Sequence, residues 1–148
     1  MRLASLISLR TAALIACGDP PTAPPFDVTV AGPARASARL ARTPSGVRYE
    51  CDSVEVTAVA TGGRAGTAAT WGGLTFRIVQ LSTEVDTYQA SYTAETVAAW
   101  WGASTLVTGD SRVMAWSANA PYPFRVVLDY QYLAEARERT ASVQFVCA

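Results

Sequence analysis

From Val47 to the end of the chain, polar and apolar residues alternate with a period of two, in runs bounded by Gly, Pro, Asn and Asp. Successive side chains of a strand point to opposite faces, so such a run buries one face and wets the other. The runs fall at 47–60, 68–79, 85–92, 112–118, 124–133 and 140–147. In the clearest of them Phe124, Val126, Leu128, Tyr130 and Tyr132 share a face, and in the last Ala141, Val143, Phe145 and Cys147 do. These faces are predicted to meet in one core between two sheets.

Two runs change parity. Tyr49 and Cys51 are odd while Val54, Val56, Ala58 and Ala60 are even, and Trp71 is odd while Leu74, Phe76 and Ile78 are even. One extra residue restores the inward face, which predicts a β-bulge near Asp52-Ser53 and another at Gly72-Gly73. Gly62-Gly63, Thr108-Gly109-Asp110 and Asn119-Ala120-Pro121 mark turns, and Glu135 to Arg139 is expected to cap the final hairpin.

One segment departs from the pattern. Thr93 precedes Ala94-Glu95-Thr96-Val97-Ala98-Ala99-Trp100-Trp101 and Gly102 follows it, so an N-cap, an acid in the first turn and a C-terminal glycine define a two-turn helix near 94–101. Val97 and Trp101 are four apart and share its buried face, which turns Trp100 outward.

Six strands and one more from the 26–42 region make about seven. The fold class is therefore all-β, an antiparallel β-sandwich with one short helix. At about 100 residues from Val47, it resembles the immunoglobulin-like and fibronectin-like sandwiches. Trp71 lies farther from Cys51 than the immunoglobulin pattern has it, and Phe145 stands where a tyrosine corner would have Tyr, so the resemblance implies the architecture alone.

The first residues carry an address. Arg2 and Arg10 flank short apolar runs too brief to span a bilayer, and Leu14-Ile15-Ala16-Cys17 resembles the lipobox of bacterial lipoproteins, in which the cysteine is acylated. The resemblance implies a signal peptide over 1–16 and a lipid-anchored protein of the bacterial cell envelope held in the bilayer through Cys17. Gly18 after the cysteine favours the outer membrane or cell surface over the inner membrane. An ordinary secretory signal, or a buried strand containing Cys17, is the alternative. Residues 17–46 then form a tether and weak edge segment, built on Pro20-Pro21-Thr22-Ala23-Pro24-Pro25, and residues 47–148 form the sandwich domain. With Cys17 lipidated, Cys51 and Cys147 remain as the one pair able to form a disulfide; two free, buried thiols are the other reading.

What is missing restricts the chemistry. The chain has no His, and all 12 of its basic residues are Arg. That excludes a Ser-His relay, an imidazole metal ligand and a Schiff-base lysine, and the balanced net charge excludes a basic nucleic-acid footprint. Glu84 and Asp86 could share a strand face, but they read as solvated edge charges; Glu50, Asp52 and Glu55 lack the dense oxygen loop of a calcium site. The expectation is a protein without enzymatic activity, cofactor or metal. Aromatic residues are the better binding candidates, although most must be core: Trp116, Tyr88, Tyr92, Tyr130 and Tyr132 belong to the pool, Trp71, Trp101, Phe145 and also Trp116 are assigned to the core, and Trp100 and Tyr122 are the expected binding surface. The expected partners are another envelope protein, for an interaction or structural module, or a polysaccharide or small ligand.

Overall fold

The structure, a computed structural model, describes residues 22–148; Cys17 and the lipobox lie outside them. The described chain runs β1 (Asp27–Ala31), β2 (Arg35–Ala36), β3 (Arg39–Thr43), β4 (Gly46–Thr61), β5 (Ala68–Gln80), β6 (Val85–Tyr92), α1 (Ala94–Trp101), β7 (Thr105–Val107), β8 (Ser111–Ala120), β9 (Phe124–Ala134) and β10 (Arg137–Cys147). The expected all-β sandwich with one short helix is what forms, with the six expected strands at β4, β5, β6, β8, β9 and β10.

One sheet is organised around β4. β8 lies along one edge of it, from Tyr49↔Ala120 to Val59↔Ser111. β3 and β1 share the other edge, pairing with residues 46–50 and 57–61. The second sheet has the order β2-β10-β9-β5, with β7 and β6 following one another along the far edge of β5. Pairing is antiparallel except where β2 lies parallel to the end of β10.

Between the sheets sits a core that includes Val56, Phe124, Leu128, Tyr130 and Phe145, with Trp71 stacked on Trp101 at 5.4 Å. Cys51 of β4 and Cys147 of β10 are disulfide-bonded, Cα to Cα 6.0 Å, and so link one sheet to the other. Both expected bulges are present, as register shifts between Cys51 and Val54 and between Trp71 and Leu74. Glycine is required at the second, because a Cβ on Gly73 would stand 2.9 Å from the Tyr92 carbonyl oxygen.

Ten strands form where about seven were expected, and the sandwich begins at Phe26 rather than Val47. Phe26, Val28 and Val30 are buried, but three apolar positions beside a proline-rich stretch are too few to register as a period. β3 is an edge strand with no buried residue, so it has no alternation to read. The final hairpin turns at Glu135-Ala136, both with positive φ, in a two-residue loop.

The helix matches expectation closely. The Thr93 hydroxyl accepts from the Thr96 amide, Gly102 adopts φ 72°, and Val97 and Trp101 are the buried pair.

Candidate functional site

The two sheets do not cover each other completely. Among the described residues β6 and β8 are free edges of opposite sheets, and along this side the sandwich is open. Tyr88, Ala90 and Tyr92 of β6 pair with Ile78, Phe76 and Leu74, and so share their inward face. Met114 and Trp116 of β8 pair with Val56 and Val54 and are likewise inward. Inward-facing residues on an uncovered edge reach solvent, which is why Tyr88 is 53% exposed although it lies on the core face.

The gap is a groove of about 410 Å³, in the lower part of the range of small-molecule sites, about 300–1,000 Å³. Phe76 and Ile78 form its floor, Tyr88, Tyr92 and Trp116 its aromatic walls, and Tyr122 its end, with Arg48 and Asn119 on the rim. A smaller cavity of about 340 Å³ lies beyond Trp116, between Trp100, Met114 and Ala115. Trp116 lines both.

The aromatic side chains form a continuous set. Tyr88 meets Phe76 edge-on at 5.9 Å, Phe76 stacks on Trp116 at 5.5 Å, and Trp100 stands edge-on to Trp116 at 5.4 Å and to Tyr92 at 4.7 Å. Such pairs each add about 0.5–1.5 kcal/mol beyond area burial and fix ring orientation. Trp116 is further held by its indole N–H, which donates to the Tyr130 hydroxyl at 2.9 Å; that hydroxyl donates in turn to Met114 Sδ at 3.3 Å. Burial raises the Tyr130 phenol far above its usual range, so it stays a neutral donor at any physiological pH. The walls are thus pre-positioned.

The rim carries a cation. Arg48 donates from Nε to Asn119 Oδ1 at 2.9 Å and again from a terminal nitrogen to the same oxygen. A guanidinium has no acceptor, so it must face the amide oxygen, and the Asn119 NH₂ is left as a free donor. Among the described residues no carboxylate is within salt-bridge distance of Arg48, and no Asp or Glu lines the groove.

The sequence-predicted residues divide. Trp100 is outward as expected, 39% exposed, but it lines the smaller cavity. Tyr122 is half-buried against the core rather than an exposed loop tip, because the β8–β9 connection crosses from one sheet to the other and folds the ring over the groove's end. Tyr88, Tyr92 and Trp116 from the wider aromatic pool come together around the groove, whereas Tyr130 and Tyr132 are core, the latter donating to Asp27 at 3.0 Å. Arg48 and Asn119 had no sequence signal, being 71 residues apart. Glu84 and Asp86 part company: Glu84 pairs with Arg125 and Asp86 with Arg77, so they do not converge on a common point. Among the described residues no three potential ligands gather into a metal site.

No family model matches the chain, and no curated protein matches it. The chain is similar to solved structures. An X-ray structure of a Northeast Structural Genomics Consortium target superposes with TM-score 0.54 at 11% identity, covering 82% of this chain and 84% of that one. A Bordetella pertussis protein provisionally named ApaA covers 84% of this chain and 90% of its own, at 15% identity and TM-score 0.48. At such identities the first likeness concerns architecture alone.

Proposed function

We propose that this protein is a lipid-anchored binding module of the bacterial cell envelope, without catalytic activity, whose open sandwich side takes a small ligand into the aromatic groove. The observation that carries the ligand reading is the acid-free groove beside Trp116, with rigid aromatic walls and a polar rim. Rings held in place lose little entropy when a flat or ring-shaped ligand packs on them.

The polarity of the domain suits display from a membrane. The proline-rich segment joins the sandwich at the Thr61 end of β4, where the Gly63 amide donates to the Pro24 carbonyl at 2.6 Å. The groove's end lies beside Tyr49 and Ala120, at the other end of β4. Some twelve residues of strand separate the two, on the order of 35–40 Å. An anchor at Cys17 would hold the tether end toward the bilayer and the Tyr122 end of the groove away from it.

A second reading has its own observation. Among the described residues β6 and β8 are unpaired edges bearing exposed Val85 and Val113, 56% and 57% accessible, to which a protein partner could add a strand.

Two experiments test the proposal. Cys17→Ser should move the protein from the membrane fraction to the soluble fraction or block its processing, and a mature N-terminus elsewhere without lipid mass overturns the anchor. For the groove, envelope glycans and small metabolites are titrated while tryptophan fluorescence is recorded. Saturable quenching that Tyr88→Ala abolishes supports the reading. A partner retained by Tyr88→Ala but lost when Val113→Pro blunts β8 supports strand addition instead.

A further inference from the structure

We propose, building on the groove as the binding site, that its ligand is an acidic saccharide: a sugar ring packed among Tyr88, Tyr92 and Tyr122, with its carboxylate held by Arg48. The argument is one of donor and acceptor balance. Around the groove the side-chain groups that can only donate are the Arg48 guanidinium and the Asn119 NH₂, and the three phenols can donate or accept. Arg48 spends Nε and one terminal nitrogen on Asn119 and keeps the rest of its guanidinium for another acceptor. Asn119, its oxygen occupied, offers only its NH₂. The phenols of Tyr88, Tyr92 and Tyr122 have no hydrogen-bond partner among the described residues, in contrast to those of Tyr130 and Tyr132.

A rim of this kind is complementary to an oxygen-rich anion and mismatched to a cation. The Asn119 clamp matters because it fixes the guanidinium plane, and a planar fork binds a carboxylate through two parallel N–H···O bonds at reduced entropic cost. Among the described residues Arg48 makes no ion pair within 4.0 Å: its partner is the Asn119 amide, and Glu50, cross-strand from Asn119, is paired with Arg39. A purely apolar anion such as a fatty acid would leave the three phenols unused, whereas a pyranose ring presents an apolar face to aromatic rings and hydroxyls to phenolic donors.

The test uses the purified full chain in detergent with trigalacturonate, a hyaluronan tetrasaccharide and sialyllactose, each beside its carboxyl-reduced neutral form, read by calorimetry and tryptophan fluorescence. The expected result is that at least one acid binds ten-fold or more tightly than its reduced form, with the preference falling as salt rises. Arg48→Gln should remove that preference, and Asn119→Leu should weaken it while leaving the guanidinium in place. The comparison of acid with reduced sugar needs no variant, so a misfolded Arg48→Gln does not leave the question open. Equal binding of acids and reduced forms overturns the acidic ligand but keeps the groove as a site. Binding of a small aromatic carboxylate such as phenylacetate, with no sugar bound, overturns the saccharide and keeps the cation's role. No binding of any probe overturns this proposal, and the groove reading stands or falls on the wider titration above.

Discussion

Removing the Cys51–Cys147 bond tests how the sandwich is held shut. The bond joins residues 96 apart in sequence, and in the chain-entropy relation a loop of that length restricts the unfolded ensemble by about 4.7 kcal/mol at 25 °C. Both cysteines are almost fully buried, 1% and 0% accessible. Replacing both by Ala therefore also removes two sulfurs from the core, a further loss on the order of 1 kcal/mol. The expected total is about 5–6 kcal/mol, comparable with the lower end of the stability of a whole domain. With a urea slope of about 2 kcal/mol per molar, the midpoint should fall by roughly 2–3 M. The assay is equilibrium urea unfolding of the parent and of Cys51→Ala/Cys147→Ala, followed by tryptophan fluorescence. Parent protein reduced while unfolded gives the chain-entropy part alone. A midpoint within about 0.5 M of the parent would refute the reasoning, because it would mean that the long unfolded loop is not what the bond constrains.

Four further outcomes are expected. Tyr130 has its phenol raised by burial, so the folded state disfavours the phenolate; stability is intact below the unfolded phenol value near 10 and falls as pH rises above it, and urea midpoints between pH 8 and 11 should decline more steeply in the parent than in Tyr130→Phe. That same substitution leaves the Trp116 indole N–H without its partner, a loss of about 1–3 kcal/mol at neutral pH, readable as a lowered urea midpoint. Gly62→Ala should destabilise by 2 kcal/mol or more, since φ is +70° there and the new Cβ would lie 2.0 Å from the Pro25 carbonyl oxygen; a parent-like melting temperature would contradict the described seating of the tether. Trp100→Ala should cost about 1–3 kcal/mol through its two edge contacts, and a loss above about 4 kcal/mol in chemical unfolding would make it a core residue and remove it from the binding surface.

The sequence by itself determined the features that depend on local period and local chemistry. Alternation located β4, β5, β6, β8, β9 and β10 within a few residues, the two parity changes located both bulges, and the Thr93 and Gly102 caps bounded the helix, because each is encoded in neighbours along the chain. Cysteine parity, with Cys17 assigned to lipid, gave the bond that the structure contains. What a residue faces across the fold was not local, and there only the tertiary structure decided. Val28 and Val30 belong to the core through partners some thirty residues on in β4, and β3 exists as a strand only because β4 offers it an edge. The same holds for the site. Tyr88 lies on the core side of its strand, and nothing along β6 says that the opposing sheet stops short and leaves it open to solvent. Tyr122 reads as a loop tip until the crossing from β8 to β9 folds it inward, and Arg48 gains its meaning only from Asn119, brought beside it by strand pairing. Alternation specifies which face of a strand is buried; how far the facing sheet extends is set by strand order, which no single strand encodes.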